Sequence, residues 1–126
     1  MKFILLLILF TGSVASCEQV VVNDQEITAE NLEKKLAEIR SMIDVDSCSE
    51  TDQCHFLAYG SKACGGPQGY LLFSNQIDVE ALTQKVEEYN RAEDAYNKKF
   101  GIISDCMFVT PPEKLTCENG KCVPVE

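Results

Sequence analysis

Seven cysteines are the residues of this chain best able to do chemistry: Cys17, Cys48, Cys54, Cys64, Cys106, Cys117 and Cys122. Cys48-x₅-Cys54, Cys54-x₉-Cys64 and Cys117-x₄-Cys122 lack the CxxC knuckles of a four-cysteine zinc site, so disulfides account for them better. His55 is the sole histidine and adjoins Cys54, which suggests a Cys/His nucleophile pair. Consecutive residues of a strand, however, face opposite ways. With no second histidine, a hydrolytic triad or a His-based zinc site has little to draw on. The acidic run from Asp44 to Asp52 begins like a calcium loop. It then places Cys48 at the fifth position, Ser49 where glycine is required and His55 where the bidentate glutamate belongs, so it reads as an exposed acidic loop. Cys64-Gly65-Gly66-Pro67-Gln68-Gly69 has neither a GK[ST] ending nor a helix to follow, so it is no phosphate cradle; its glycines supply turns. No catalytic residue, metal or cofactor is expected, and the chain reads as a non-enzyme.

Cys17 belongs to a different chemistry. Met1-Lys2 precedes eight apolar residues, Phe3 to Phe10, and Val14-Ala15-Ser16-Cys17 follows after Thr11-Gly12-Ser13. One positive charge, a short apolar run and a small-residue exit form an export signal. The run is shorter than the roughly 20 residues a spanning helix needs. The exit resembles a bacterial lipobox, in which cleavage precedes the cysteine and its sulfur carries a diacylglycerol. Acyl chains anchor at about 0.8 kcal/mol per buried CH₂. Residues 1–16 are therefore read as the signal peptide, 17–27 as the lipidated Cys17 and a tether, and 28–126 as a single domain. Glu18 stands where an aspartate would signal inner-membrane retention, which favours the outer membrane over the inner. The alternative is plain secretion after cleavage at Ala15 or Ser16. Lipidation of Cys17 also leaves six cysteines, an even number able to pair in an oxidising compartment.

Size and charge narrow the partners. The mature 110 residues make one domain. Removing Lys2 from 11 basic residues leaves 10 against 20 acidic, a net charge of −10. Nucleic acid is excluded as a partner, since it requires clustered Lys and Arg, and so is electrostatic docking on anionic lipid. The acidity suits a solvated, soluble surface. The membrane enters as a partner only through the anchor at Cys17, with an envelope protein as the further possibility.

The elements that must position these residues follow from periodicity. Thr28 caps a helix over about 29–43, with Leu32, Leu36, Ile39 and Ile43 on one face. His55 to Tyr59 is a short strand with Phe56 and Ala58 on one face, and Tyr70 to Ser74 an apolar strand expected at the sheet centre. Asp78 caps a second helix carrying Val79, Leu82, Val86, Tyr89, Tyr96 and Phe100, with Glu93 interrupting the stripe and Gly101 as its stop. Cys106 to Val109 reads as a further strand, ended by Pro111-Pro112. Asn119-Gly120 between two extended runs is a hairpin signal. That turn places Cys117 opposite Cys122, with Cα atoms about 4.5–5.5 Å apart, and predicts a Cys117–Cys122 bridge, leaving three pairings for the other four cysteines. The fold class is α+β: two helices packed on a small antiparallel sheet, order α-β-β-α-β-β, stapled by up to three disulfides.

CGGP followed by YLLFS, then VEEYN, SDC and CENGKC, over residues 48–122, resembles a set of small cysteine-rich bacterial lipoproteins and exported proteins. Phe73-Ser74 replaces the Tyr-Ser pair usual in that set. The resemblance implies an envelope location and a common fold, and it carries no catalytic residue. The expected function is an exported cell-envelope lipoprotein acting as a binding or structural module. The alternative is a secreted inhibitor of an exogenous protease. The expected contact is the loop Gly65–Gly69, in particular Gly66, Pro67 and Gln68, with Tyr70 beside it as an aromatic anchor.

Overall fold

The structure, a computed structural model, describes residues 27–45 and 47–125. The signal peptide, Cys17 and all but the last residue of the tether lie outside the described residues, as does Asp46 of the acidic run.

Helix α1 spans Ala29–Ile43, and the Thr28 hydroxyl accepts the Asn31 N–H at 3.2 Å. That bond satisfies a donor the first turn leaves open. Helix α2 spans Val79–Phe100; Asp78 accepts the Ala81 N–H at 2.9 Å, and Gly101 closes it in the left-handed region. Strands β1, Cys54–Tyr59, and β2, Gly69–Ser74, pair antiparallel, with Cys54 opposite Ser74 and Tyr59 opposite Gly69. Strands β3, Leu115–Glu118, and β4, Lys121–Pro124, form a second antiparallel pair. The fold is α+β in the order α-β-β-α-β-β. The single sheet expected from the sequence is instead two separate two-stranded ladders, so β2 is not central.

One core joins the helices to the first ladder. Leu57 lies opposite Leu71, and His55 opposite Phe73. Leu71 and Phe73 are buried against Ile39 of α1 and Leu82, Val86 and Tyr89 of α2, with Leu32, Leu36 and Ile43 packed around them. Phe56 and Ala58 point to the opposite face by strand alternation, and Phe56 is exposed.

The β3–β4 hairpin turns as its residues predict. Asn119 (φ 51°) and Gly120 (φ 81°) both sit in the left-handed region, as a type I′ turn requires, and Cys117 stands opposite Cys122. The bridge between them does not form. Cys117 bonds Cys48 and Cys122 bonds Cys54, while Cys64 bonds Cys106. The hairpin has little core of its own, and its two sulfurs reach the chain before and at the start of β1. Ser47 and Cys48 donate backbone N–H groups to the Gly120 carbonyl at 2.9 and 3.1 Å, which brings Cys48 to the hairpin. The first of these bridges restricts the unfolded chain by about 4 kcal/mol; the second spans nearly the same stretch, closes a further ring of only about 13 residues and adds roughly 3 kcal/mol.

The segment expected as a strand, Cys106–Val109, is irregular. Cys106 has φ 55°, and the Met107 and Val109 carbonyls accept from side chains, Lys62 Nζ and the Tyr70 hydroxyl, rather than from a neighbouring strand.

Candidate binding face

Two connections meet at one end of the molecule: residues 60–68 between β1 and β2, and residues 101–114 between α2 and β3. Polar side chains of α2 hold the first from below. Asn90 accepts the Gly60 N–H at 2.6 Å, Glu93 accepts the Ser61 N–H at 2.5 Å, and Asn97 donates to the Ser61 carbonyl at 2.7 Å. Residues 90, 93 and 97 share one helix face, so the stripe is broken at Glu93 for a reason: the loop backbone needs an acceptor there. Gly60 (φ +85°) tolerates no side chain, because a Cβ would meet Gln68 Cγ at 2.3 Å. Glu93 also accepts from the Tyr89 hydroxyl at 3.1 Å and from Gln68 Nε2 at 3.4 Å. Burial, reinforced by the Glu93 carboxylate, pushes the Tyr89 hydroxyl well above the ordinary phenol range, so it stays a proton donor.

Glu93→Ala removes the acceptor from these donors, and an unpaired buried donor costs about 1–3 kcal/mol. Thermal melts will show a destabilisation of that order, and hydrogen exchange will show the Ser61 amide losing protection. Unchanged exchange at Ser61 would mean that the loop is held some other way.

The second connection is clamped to the first. Cys64 is bonded to Cys106, and the Cys64 N–H donates to Ser104 Oγ at 3.2 Å. The Lys62 side chain, only 9% exposed, bridges to Asp105 Oδ1 at 3.0 Å and donates to the Met107 carbonyl at 2.8 Å. Lys62, together with the Met107 N–H, holds the Asp105 carboxyl below the usual carboxylate range. The Tyr70 hydroxyl donates to the Val109 carbonyl at 3.4 Å. With its backbone tied inward, this segment turns large apolar side chains to solvent: Ile103 is 91% exposed, Met107 68% and Phe108 81%. They line an open groove of about 780 Å³ together with Lys62 and Gln68.

The structure divides the contact residues expected from the sequence. Gly65 and Gly66 are exposed at the loop tip, and Pro67 is half-buried. The tip is closed on itself by Lys62 N–H to the Gly66 carbonyl and Gly65 N–H to the Lys62 carbonyl, each 2.9 Å. Gln68 is exposed and lines the groove. Tyr70 is half-buried on the face of β2 away from the core, its hydroxyl bound to the Val109 carbonyl and its ring edge-on to the exposed Phe56 at 5.5 Å. Reading by composition missed Lys62, Ile103, Met107 and Phe108. The available signal was an apolar Met-Phe pair between a cysteine and two prolines with no periodicity to bury it.

The other chemistry weighed in the sequence is not assembled. Cys54 is in a disulfide and unavailable to His55 as a nucleophile. His55 is exposed, with its ring 6.1 Å from that of Phe73. Asp44, at the head of the acidic run, pairs with Lys121, which lowers its carboxyl pKa. Among the described residues no helix is long and apolar enough to cross a membrane. The chain matches no protein-family model, no curated protein and no solved structure.

Proposed function

We propose that this chain is an exported cell-envelope lipoprotein, anchored through Cys17, whose domain is a non-enzymatic binding module that meets a protein partner with the clamped face of residues 60–69 and 102–110. The observation that carries this reading is the exposure of Ile103, Met107 and Phe108 on a segment whose backbone is fixed by a disulfide and by the Lys62 side chain. Large apolar side chains held rigid at the surface bind at low ordering cost, and Met and Phe are favoured in interface cores. The export reading rests on residues 1–17, on the even cysteine count that remains, and on disulfides that suit an oxidising compartment. It is tested by the intact mass of the membrane-extracted protein. The mass will exceed that of the peptide from Cys17 by the acyl groups, and Cys17→Ser will abolish the excess. An unmodified chain sinks the anchor.

A second reading, inhibition of an exogenous protease, is favoured by one feature of the same face. The glycine loop offers no large anchor for a specificity pocket, but Phe108, on the segment clamped to it, does. Against a panel of proteases, wild type would slow one that cleaves after large apolar residues, and Phe108→Gly would not. If no member of the panel is slowed, this second reading is discarded and the first stands.

A further inference from the structure

We infer that residues 106–110 are a substrate-shaped inhibitory segment for a serine protease with a large apolar specificity pocket, Phe108 being the anchor and Phe108–Val109 the bond presented to the enzyme. The inference rests on the second reading above and deepens it. From Ile102 to Pro112 the chain runs without helix, turn, bend or ladder. In an extended segment alternate residues present their N–H and C=O groups to the same edge. The Met107 and Val109 carbonyls are both tied inward, the first by Lys62 Nζ at 2.8 Å and the second by the Tyr70 hydroxyl at 3.4 Å. The Phe108 N–H and carbonyl therefore lie on the outer edge, and neither takes a partner among the described residues. Cys106, at φ 55° and bonded to Cys64, fixes the entry to the segment, and Pro111-Pro112 ends it.

This is the form in which a peptide meets a protease. An extended chain pairs its free edge with the enzyme through main-chain hydrogen bonds, and one side chain enters the specificity pocket. Phe108 is exposed, as is Met107 beside it, so the anchor needs no rearrangement to be reached. Its size and lack of charge suit a hydrophobic slot, while an acidic or a small pocket excludes it. From Met107 to Pro112 the segment carries no charge, and the nearest carboxylate, Asp105, is already paired with Lys62. No unpaired charge is therefore buried with Phe108 when the enzyme closes on it.

The clamp makes the segment an inhibitor instead of a substrate. The enzyme's serine oxygen adds to the Phe108 carbonyl carbon, and the serine proton passes by way of the enzyme's histidine to the Val109 nitrogen. The Phe108–Val109 bond breaks as the ester to Phe108 forms. An ordinary substrate then loses its amine half, and water hydrolyses the ester. Here neither half leaves. The acyl half is held by the Cys64–Cys106 bridge and by Lys62 on the Met107 carbonyl. The amine half is held by Tyr70 on the Val109 carbonyl and by the chain running on into β3. Kept beside the ester at a high effective concentration, the Val109 amine attacks it, returns the proton through the histidine to the serine oxygen and re-forms the peptide bond. The bridge and Lys62 are positioning groups in this scheme.

The experiment uses the oxidised full chain with Cys17→Ser, to remove the seventh thiol, and takes chymotrypsin and trypsin as probes with an apolar and an acidic pocket. The chain will inhibit chymotrypsin one to one and leave trypsin active. Phe108→Gly will weaken inhibition by at least about 30-fold, as loss of a central aromatic anchor does. Phe108→Lys will carry inhibition over to trypsin, a gain that an unfolded variant cannot imitate. Mass spectrometry will find the parent chain intact in the complex. Cys64→Ser with Cys106→Ser, and separately Lys62→Met, will be cut between Phe108 and Val109 faster by a factor on the order of 100, the cost of lost positioning. The inference is overturned if chymotrypsin is not inhibited, if Phe108→Lys does not inhibit trypsin, or if the parent chain is cut as fast as the unclamped variants. Inhibition that depends on Phe108, with cleavage of the unclamped variants at some other bond, leaves the second reading standing and removes this inference alone. Inhibition of no protease removes both.

Discussion

Replacing Cys48 and Cys117 together by serine will lower stability by about 3 kcal/mol, the cost expected for opening the ring of about 13 residues that this bridge closes once Cys54–Cys122 is in place. The loss falls on a hairpin that depends on its bolts. β3 and β4 are four residues each, they form their own ladder, and none of their residues belongs to the buried core cluster. Such a two-stranded unit is marginal alone in water. With Cys54–Cys122 intact the hairpin stays tethered at one point, so the helices and β1–β2 will keep their structure while amides near Gly120 exchange faster. Denaturant melts give the first number and hydrogen exchange the second. A loss below about 1 kcal/mol would show that the Ser47 and Cys48 contacts to Gly120 hold the hairpin unaided. The double change is preferred to a single one, because a lone unpaired thiol beside the second bridge invites exchange.

Leu82→Ala will have an effect of the same size, about 2–5 kcal/mol. Leu82 is fully buried, in one cluster with Ile39 of α1, Leu71 and Phe73 of β2 and Val86 one turn along α2. Truncation leaves a cavity bounded by three elements, each held elsewhere by caps or ladder bonds, so the walls collapse little. For a domain of about 100 residues each kcal/mol lowers the melting midpoint by roughly 4–8 °C, so a drop beyond about 10 °C is expected. Phe108→Ala, by contrast, removes a side chain that is 81% exposed and will leave the midpoint nearly unchanged. A similar loss from both changes would mean that the core is not where Leu82 places it.

Local chemistry was legible in the sequence where one residue determines one bond. Thr28 and Asp78 cap their helices, Gly101 ends α2, and Asn119-Gly120 turns the hairpin, each because the side chain or its absence decides the backbone nearby. The apolar periodicity of α1 and α2 marked Ile39, Leu82, Val86 and Tyr89 for the interior. Disulfide pairing was not legible. Cys117 and Cys122 do face each other, but what they bond depends on where residues 47–48 dock, through hydrogen bonds to Gly120 made across the chain. The segment 101–114 was misread for a related reason. Met107, Phe108 and Val109 look like a strand, yet a strand needs a partner, and here Lys62 and Tyr70 satisfy the carbonyls a ladder would have taken. Glu93, a flaw in an apolar stripe, turned out to be the acceptor that seats the loop.

The same distinction separates the two halves of the candidate face. A glycine-rich loop advertises a turn by composition, and Gly65 and Gly66 make one. Apolar side chains with no periodicity give no sign of whether the fold buries them. At Tyr70 it does so in part; at Ile103, Met107 and Phe108 it does not.

The measurement that bears most directly on the binding module is site-specific photo-crosslinking in intact cells, with the photoreactive residue at Phe108 and, as a control, at Glu33 on the exposed side of α1. The Phe108 position will give one discrete adduct, and the adduct will fade when Cys64→Ser and Cys106→Ser release the clamp, while Glu33 gives none. No adduct at Phe108, or the same adduct from both positions, would contradict the assignment of this face as the contact surface.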